Sequence, residues 1–251
     1  MTTSTPFVPS RVAQALSSRL IGFIIVLGGL FPAFGHAQVV RSGPPTCQAV
    51  AITFDLCPVR MAPGFDAELI RLLTDRKVPA TMFMSGRWVA KHGADTAALL
   101  AVPFFEIGTH GQTHAHLPLL DRSRQRVEIL DAVSLLKSKY GLATTLFRPP
   151  YGEFNDETVE VAHALGQRLI LWNVVSGDPD PSLSAQRILD QVERSVRRGS
   201  ILVFHANGKG EHTREVIDHL TAEVLPKKGL TPVTVSELLS CRPPTTASPR
   251  R

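Results

Sequence analysis

The sequence predicts an α/β fold, a distorted (β/α)7 barrel of parallel strands in a single domain, and three observations carry that reading. Seven short apolar runs alternate with longer stretches of helical spacing, the pattern of a parallel sheet with helices outside. No internal sequence repeat divides the chain. The polar residues with chemical reach stand just after the runs, where a parallel β/α fold places its chemistry.

The runs are Ala49–Phe54, Ala80–Met84, Phe104–Gly108, Thr144–Phe147, Leu169–Asn173, Ile201–Phe204 and Leu230–Val233. Between them, Ala67, Ile70 and Leu73 repeat at helical spacing, as do Val127, Leu130, Val133 and Leu136, and then Ile188, Val192 and Val196. Asp121, Asn155 and Ser184 stand where helix N-caps are expected. Asp55 follows the first run, His110 and His114 the third, Arg148 the fourth, Asp178 the fifth and His205 the sixth. One end of the barrel therefore collects all of them.

The ends of the chain read differently. Residues 1–37 resemble a secretory signal peptide: Arg11 and Arg19 without any acid, an apolar run from Leu20 to Phe34, and a small-x-small site at Gly35-His36-Ala37. The run is short against the ~20 residues of a spanning helix, so export to the periplasm or exterior is expected, with no membrane span after cleavage; an uncleaved anchor is the other reading. Residues 38–46 read as a linker, 47–241 as the domain, and the Pro- and Thr-rich 242–251 as a disordered tail. Arg11, Arg19, Arg242, Arg250 and Arg251 account for the whole formal charge of +5. Residues 38–241 are formally neutral, and a nucleic-acid partner is not expected.

Two motifs suggest chemistry. His110 and His114 lie four apart, a spacing that lets two imidazoles share one metal. Histidines near loops are common, and the neighbouring His116 reads as solvent-facing or packing. In Arg148-Pro149-Pro150-Tyr151-Gly152 two prolines fix the backbone, so the Tyr151 amide could serve as an oxyanion donor. A rigid strand-to-helix turn is the other reading, and the cation at Arg148 favours function. His205 ends an apolar run at the same mouth and suits a general acid.

Taken in order, these segments resemble the five motifs of the NodB-homology polysaccharide deacetylases (carbohydrate esterase family 4), from about Cys47 to Cys241. Thr53-Phe54-Asp55-Leu56 resembles the family's TFDD, His110 and His114 its histidine pair, and Arg148 to Gly152 its RPPYG. Asp178 matches part of a D-x-x-D-W motif, and Val203-Phe204-His205 resembles L-x-H. The resemblance implies removal of N-acetyl groups from an N-acetylated glycan. It implies Asp55 as the general base for the attacking water, His110 and His114 as ligands of a divalent metal (zinc first), and Arg148 as the residue that orients Asp55 and keeps it ionised. His205 would protonate the leaving amine, Asp178 would tune His205, and the oxyanion would rest on the metal and the Tyr151 amide.

Three positions depart from the pattern. Leu56 replaces the family's metal-binding carboxylate, while Val175 and Pro179 replace the first aspartate and the tryptophan of the fourth motif. With Leu56 unable to ligate, either Asp55 or Cys57 reaches the metal, or metal binds weakly. Besides the deacetylase, a catalytically impaired carbohydrate-binding relative and an amide hydrolase of a non-sugar substrate fit the same pattern. The three cysteines separate by topology. Cys47 precedes the first strand and Cys241 ends a last helix running back from the catalytic face, so these two should pair. Cys57, just past Asp55, should stay free.

Overall fold

Strand alternation sorts the side chains of this fold into two cores. A computed structural model describes residues 39–60 and 64–241, all of them within one domain. The expected signal peptide and tail lie outside the described residues, and no described helix is long and apolar enough to cross a membrane. Nine strands form one sheet: β1 (Val39–Val40), β2 (Ala49–Leu56), β3 (Ala80–Met84), β4 (Phe105–Thr109), β5 (Leu146–Phe147), β6 (Arg168–Ile170), β7 (Val174–Val175), β8 (Ile201–His205) and β9 (Thr231–Val233). Their order is β1-β6-β5-β4-β3-β2-β8-β7, with β9 on the first residues of β2, and every pairing is parallel.

Along β2, Ile52, Phe54 and Leu56 point outward into the larger core. There they meet Leu69 and Leu73 of α1 (Ala67–Asp75) and Trp88 and Val89 of α2 (Gly86–Lys91). Ala49 and Ala51 point inward, where Phe83, Leu146, Ile170 and Ile201 fill the barrel. Gly108 is required beside this filling, because a Cβ there would lie 2.6 Å from the Phe83 ring. Further along the chain, α3 (Gly93–Leu100), α4 (Arg122–Tyr140), α5 (Asp156–Ala164), α6 (Ala185–Ser195) and α7 (Thr213–His219) complete the outer layer. The last of these runs on through a π-turn into the short α8 (Leu225–Lys227).

The three expected caps are present: Asp121 accepts from Arg124 N at 2.9 Å, Asn155 from Thr158 N at 2.9 Å and Ser184 from Arg187 N at 3.4 Å. The apolar stripe expected on α4 is displaced. Val127 is exposed, and the buried face is Gln125, Glu128, Ile129, Ala132 and Leu136. Two polar residues hold core positions because each has buried partners: Thr158 donates to Gln125 Oε1 at 2.6 Å, and Thr113 donates twice to Glu128.

The segment 38–46, expected as a linker, contributes β1, which pairs with β6. The run Leu169–Asn173, expected as one strand, is instead the seam of the barrel. It contains the end of β6, and the chain then steps across to β7 on the opposite edge of the sheet. Only residues 171–173 make the step, held by Leu171 N donating to Val40 O at 2.7 Å and Asn173 N to Ile201 O at 3.1 Å. Below them Ser42 bridges Ser200, and Gly43 N donates to Gly199 O at 2.8 Å. Gly199 has φ +76°, and a Cβ on it would lie 2.7 Å from the carbonyl oxygens of Gly43 and Pro44, so the closure needs a glycine there.

The far end of the barrel is sealed by α9 (Val235–Ser240), capped by Thr234 and Glu237. Val235 and Leu238 pack with Cys47, Ala49 and Ala51. Because β9 pairs only with Ala49–Ala51, α9 lies across this end and does not run back from the catalytic face as expected. The expected bridge forms all the same: Cys47 and Cys241 are bonded, with Cα atoms 6.0 Å apart, and Cys57 is free and buried. The bridge spans 194 residues of sequence, and the chain-entropy model sets its contribution at about 5 kcal/mol. A Cys47→Ser/Cys241→Ser variant should therefore unfold at clearly lower denaturant than the parent. Equal midpoints in parallel guanidinium titrations would show that the bridge contributes nothing.

Candidate active site

Each expected site residue stands at a strand's C-terminal end because the strand before it ends there. Asp55 is the penultimate residue of β2 and His205 the last of β8, and the two are register partners on adjacent strands. His110 and Arg148 directly follow β4 and β5, and Asp178 follows β7. His114 and Tyr151 sit in turns with φ of 65° and 60°, strained backbone for residues with side chains. Six of the seven line one cavity of about 240 Å³, together with Cys57, Trp172 and Lys209. The seventh, Arg148, is fully buried behind Asp55. A larger cavity of about 470 Å³, around Phe104 and Leu142, contains none of the site residues.

Arg148 is the base of the site. Its Nη1 donates to Asp55 Oδ1 and to Thr53 Oγ1, both at 2.8 Å, and its Nε and Nη2 reach the carbonyls of Ile170 and Leu171 at 3.3 Å. The guanidinium also lies 4.0 Å over the Phe83 ring. Burial by itself would raise the Asp55 carboxyl. The Arg148 charge, then those of His110 and His205, outweigh burial and hold the group below the ordinary carboxylate value. Asp55 is thus ionised at neutral pH.

His110 Nδ1 lies 2.9 Å from Arg148 O. A carbonyl can only accept, so Nδ1 carries a proton and Nε2 is the ring atom left toward the cavity, 3.6 Å from Asp55 Oδ2. Burial opposes protonation of His110, but Asp55 and Cys57 raise it above the usual imidazole value. The His114 ring meets His110 edge-on at 4.9 Å between centroids. One ligand atom each from Cys57, His110 and His114 fall within 4.8 Å of one another. Two imidazoles with a neighbouring sulfur are donors that suit a first-row divalent metal.

On the facing wall, His205 Nδ1 donates to Asp178 Oδ1 at 3.0 Å, which leaves Nε2 for the cavity. Burial would lower this imidazole. The hydrogen bonds to Asp178 and Cys57 and the charges of Asp178 and Asp55 prevail, and its pKa rises to about 10. Asp178 is itself held by Ser176 Oγ at 2.8 Å, Thr213 Oγ1 at 2.7 Å and His205 N at 2.8 Å. His116 stays out of the site: it stacks on Tyr151 at 4.1 Å and pairs with Glu153.

Several supporting residues gave no sequence signal. Glu128 accepts from Thr113 N at 2.8 Å and Thr113 Oγ1 at 2.6 Å, and so pins the turn between the two histidines from a helix 15 residues away. Thr213 and Ser176 fix Asp178, and Asn207 Nδ2 donates to Cys57 O at 3.2 Å. Each is a common polar residue, and all but Ser176 act on a partner far away in the sequence.

Known proteins share this arrangement to different degrees. The family model described as polysaccharide deacetylase matches residues 42–170. A peptidoglycan-N-acetylglucosamine deacetylase of Bacillus cereus is 30% identical over 203 residues, which cover 78% of this chain and 90% of that protein. A family 4 carbohydrate esterase from Streptomyces lividans, solved in complex with acetate, is 28% identical. It has a TM-score of 0.65, with 73% of this chain and 91% of that one covered. A CE4 family pseudoenzyme from Bacillus anthracis superposes with a TM-score of 0.72 at 25% identity, over 81% of this chain and 69% of that one. With a family model over half its length and a relative 30% identical across most of both proteins, the chain belongs to the polysaccharide deacetylase family and is by class a carbohydrate deacetylase.

Proposed function

We propose that the protein is an exported, metal-dependent hydrolase that removes N-acetyl groups from an N-acetylated polysaccharide. The observation that carries this reading is the placing of Asp55 and His205 as register partners on neighbouring strands at one cavity, beside the paired imidazoles of His110 and His114. An amide is inert, so its hydrolysis needs an activated water, an oxyanion site and an acid for the amine. Asp55, kept ionised by Arg148, takes a proton from the water whose oxygen adds to the acetyl carbon. As the C–N bond breaks, His205 gives its proton to the departing sugar nitrogen, and acetate and a free amine result. Asp178 keeps the His205 ring oriented and protonated through this step. Tyr151 lines the cavity, and its backbone amide, set by Pro149 and Pro150, would serve as the oxyanion donor. His110 and His114 would hold a divalent cation, zinc first, and that ion would supply Lewis acidity to the site.

The glycan reading follows the family and the Bacillus cereus relative, and export follows the leader in the sequence. A second reading, an impaired glycan-binding protein, is favoured by Leu56 in place of a ligand, and a pseudoenzyme does exist among the similar structures. The two part in one assay. Acetate should be released from N-acetylglucosamine polymers, lost on chelation and restored by zinc, whereas glycan binding without acetate at any metal loading would establish the impaired relative. Metal content should fall close to background in His110→Ala and in His114→Ala, and full zinc stoichiometry with activity in either would remove that residue from the site.

Two further outcomes concern the proton transfers. Asp55→Asn should abolish turnover in a folded protein, and His205→Ala should slow it by ~10²-fold or more; near-parental rates in either would sink the mechanism. His205 acts in its protonated form, which Asp178 extends to high pH. Removing that carboxylate lowers the pKa, so Asp178→Asn should move the alkaline limb of the kcat/KM profile to lower pH. An unmoved limb would separate Asp178 from the acid's titration.

A further inference from the structure

The proposed reaction leaves the metal with two imidazoles, whereas a catalytic zinc usually has three protein ligands. Leu56 cannot supply the third by any small rearrangement. It is fully buried in the outer core with Leu69 and Leu73, on the side of β2 away from the cavity. Strand alternation returns the chain to the inner side one residue later, so Cys57 faces the cavity with Asp55. Asp55 is already committed, with Oδ1 on Arg148 and its carboxylate needed as a base.

We propose that Cys57 is the third metal ligand, so that a thiolate and two imidazoles replace the carboxylate and two imidazoles that the family motif would supply. The inference rests on the metal-dependent reading of the site. Its geometric support is the clustering of Cys57 Sγ with His110 and His114 donor atoms within 4.8 Å. The surroundings of the sulfur point the same way. Cys57 is buried yet belongs to none of the apolar clusters. The side chains that line the cavity with it include the imidazoles of His110, His114 and His205. A cysteine that merely packs would be among aliphatic side chains. Asn207 holds the Cys57 carbonyl, which fixes the backbone from which the sulfur projects. The other two cysteines are joined at the opposite end of the barrel, so an oxidising compartment leaves this thiol without a disulfide partner in the fold. A sulfur donor selects for softer divalent ions, zinc over magnesium or manganese.

Cobalt reports the ligand set directly, without any substrate. The metal-free protein is titrated with Co²⁺, and absorption is recorded for the parent and for Cys57→Ala, a small change whose metal-free melting curve should match the parent's. The parent should develop an intense near-ultraviolet thiolate-to-cobalt charge-transfer band, and the variant should lack it. Zinc affinity of the variant should fall by at least about 100-fold, since even residues that only support a ligand cost 10–100-fold. A parent that takes up no cobalt, or takes it up without the band, overturns the proposal. So does a variant with the parent's spectrum and affinity. If the variant fails to fold, the parent's spectrum alone decides. Acetate release measured alongside separates the two claims. Chelator-sensitive release without the band removes Cys57 and leaves the deacetylase, while the band without release from any glycan does the reverse.

Discussion

A guanidinium with no exposed surface sits at the centre of this molecule, and both the barrel and its chemistry are arranged around it. Arg148 joins Asp55 and Thr53 on β2 to the carbonyls of Ile170 and Leu171 across the barrel, with the Phe83 ring beneath. A buried charge is tolerated only when paired and fully hydrogen-bonded, and removing one partner of such a pair typically costs about 3–5 kcal/mol. Here every nitrogen of the guanidinium has an acceptor. The acceptors at Ile170 and Leu171 are the backbone of the seam, where three residues carry the chain from one sheet edge to the other. The ion pair that keeps Asp55 ionised is therefore also bonded to the closure of the barrel, and the fold and the ionisation of Asp55 cannot vary independently.

The two carboxylates of the site do opposite work because their surroundings differ. Asp55 has a permanent cation behind it and an open side toward the cavity, which makes it a carboxylate able to accept a proton. Asp178 has both oxygens occupied by Ser176, Thr213 and the His205 backbone and ring, so it acts through the imidazole it holds. Such separation of environments is what the proposed base and acid, on two neighbouring strands of one sheet, would require.

Much of this was legible in the sequence, for identifiable reasons. Inner strands such as Ala80–Met84 are buried throughout and apolar at every position but Thr81, so they could be read directly. The caps at Asp121, Asn155 and Ser184 were legible because capping is local. The family motifs brought out the convergent residues, which a sequence reader meets as scattered singletons. What escaped depends on distant partners. Strands of two residues, β1 and β7, have no period to detect. On α4, Gln125 and Glu128 occupy core positions that a hydrophobicity pattern assigns to solvent, and the stripe was placed one residue astray at Val127. The route of α9 was misjudged because nothing in its sequence says that β9 reaches only the first residues of β2.

The Cys47–Cys241 bridge has a consequence for how the enzyme can be presented to a polymer. The described fold starts at Val39, at the N-terminal end of a parallel strand, and finishes at Cys241, beside the helix that seals that same end. Both exits leave from the face opposite the catalytic mouth, and the covalent tie keeps them together. Neither end of the described fold therefore stands beside the mouth, and the loops after the strands keep that face to themselves.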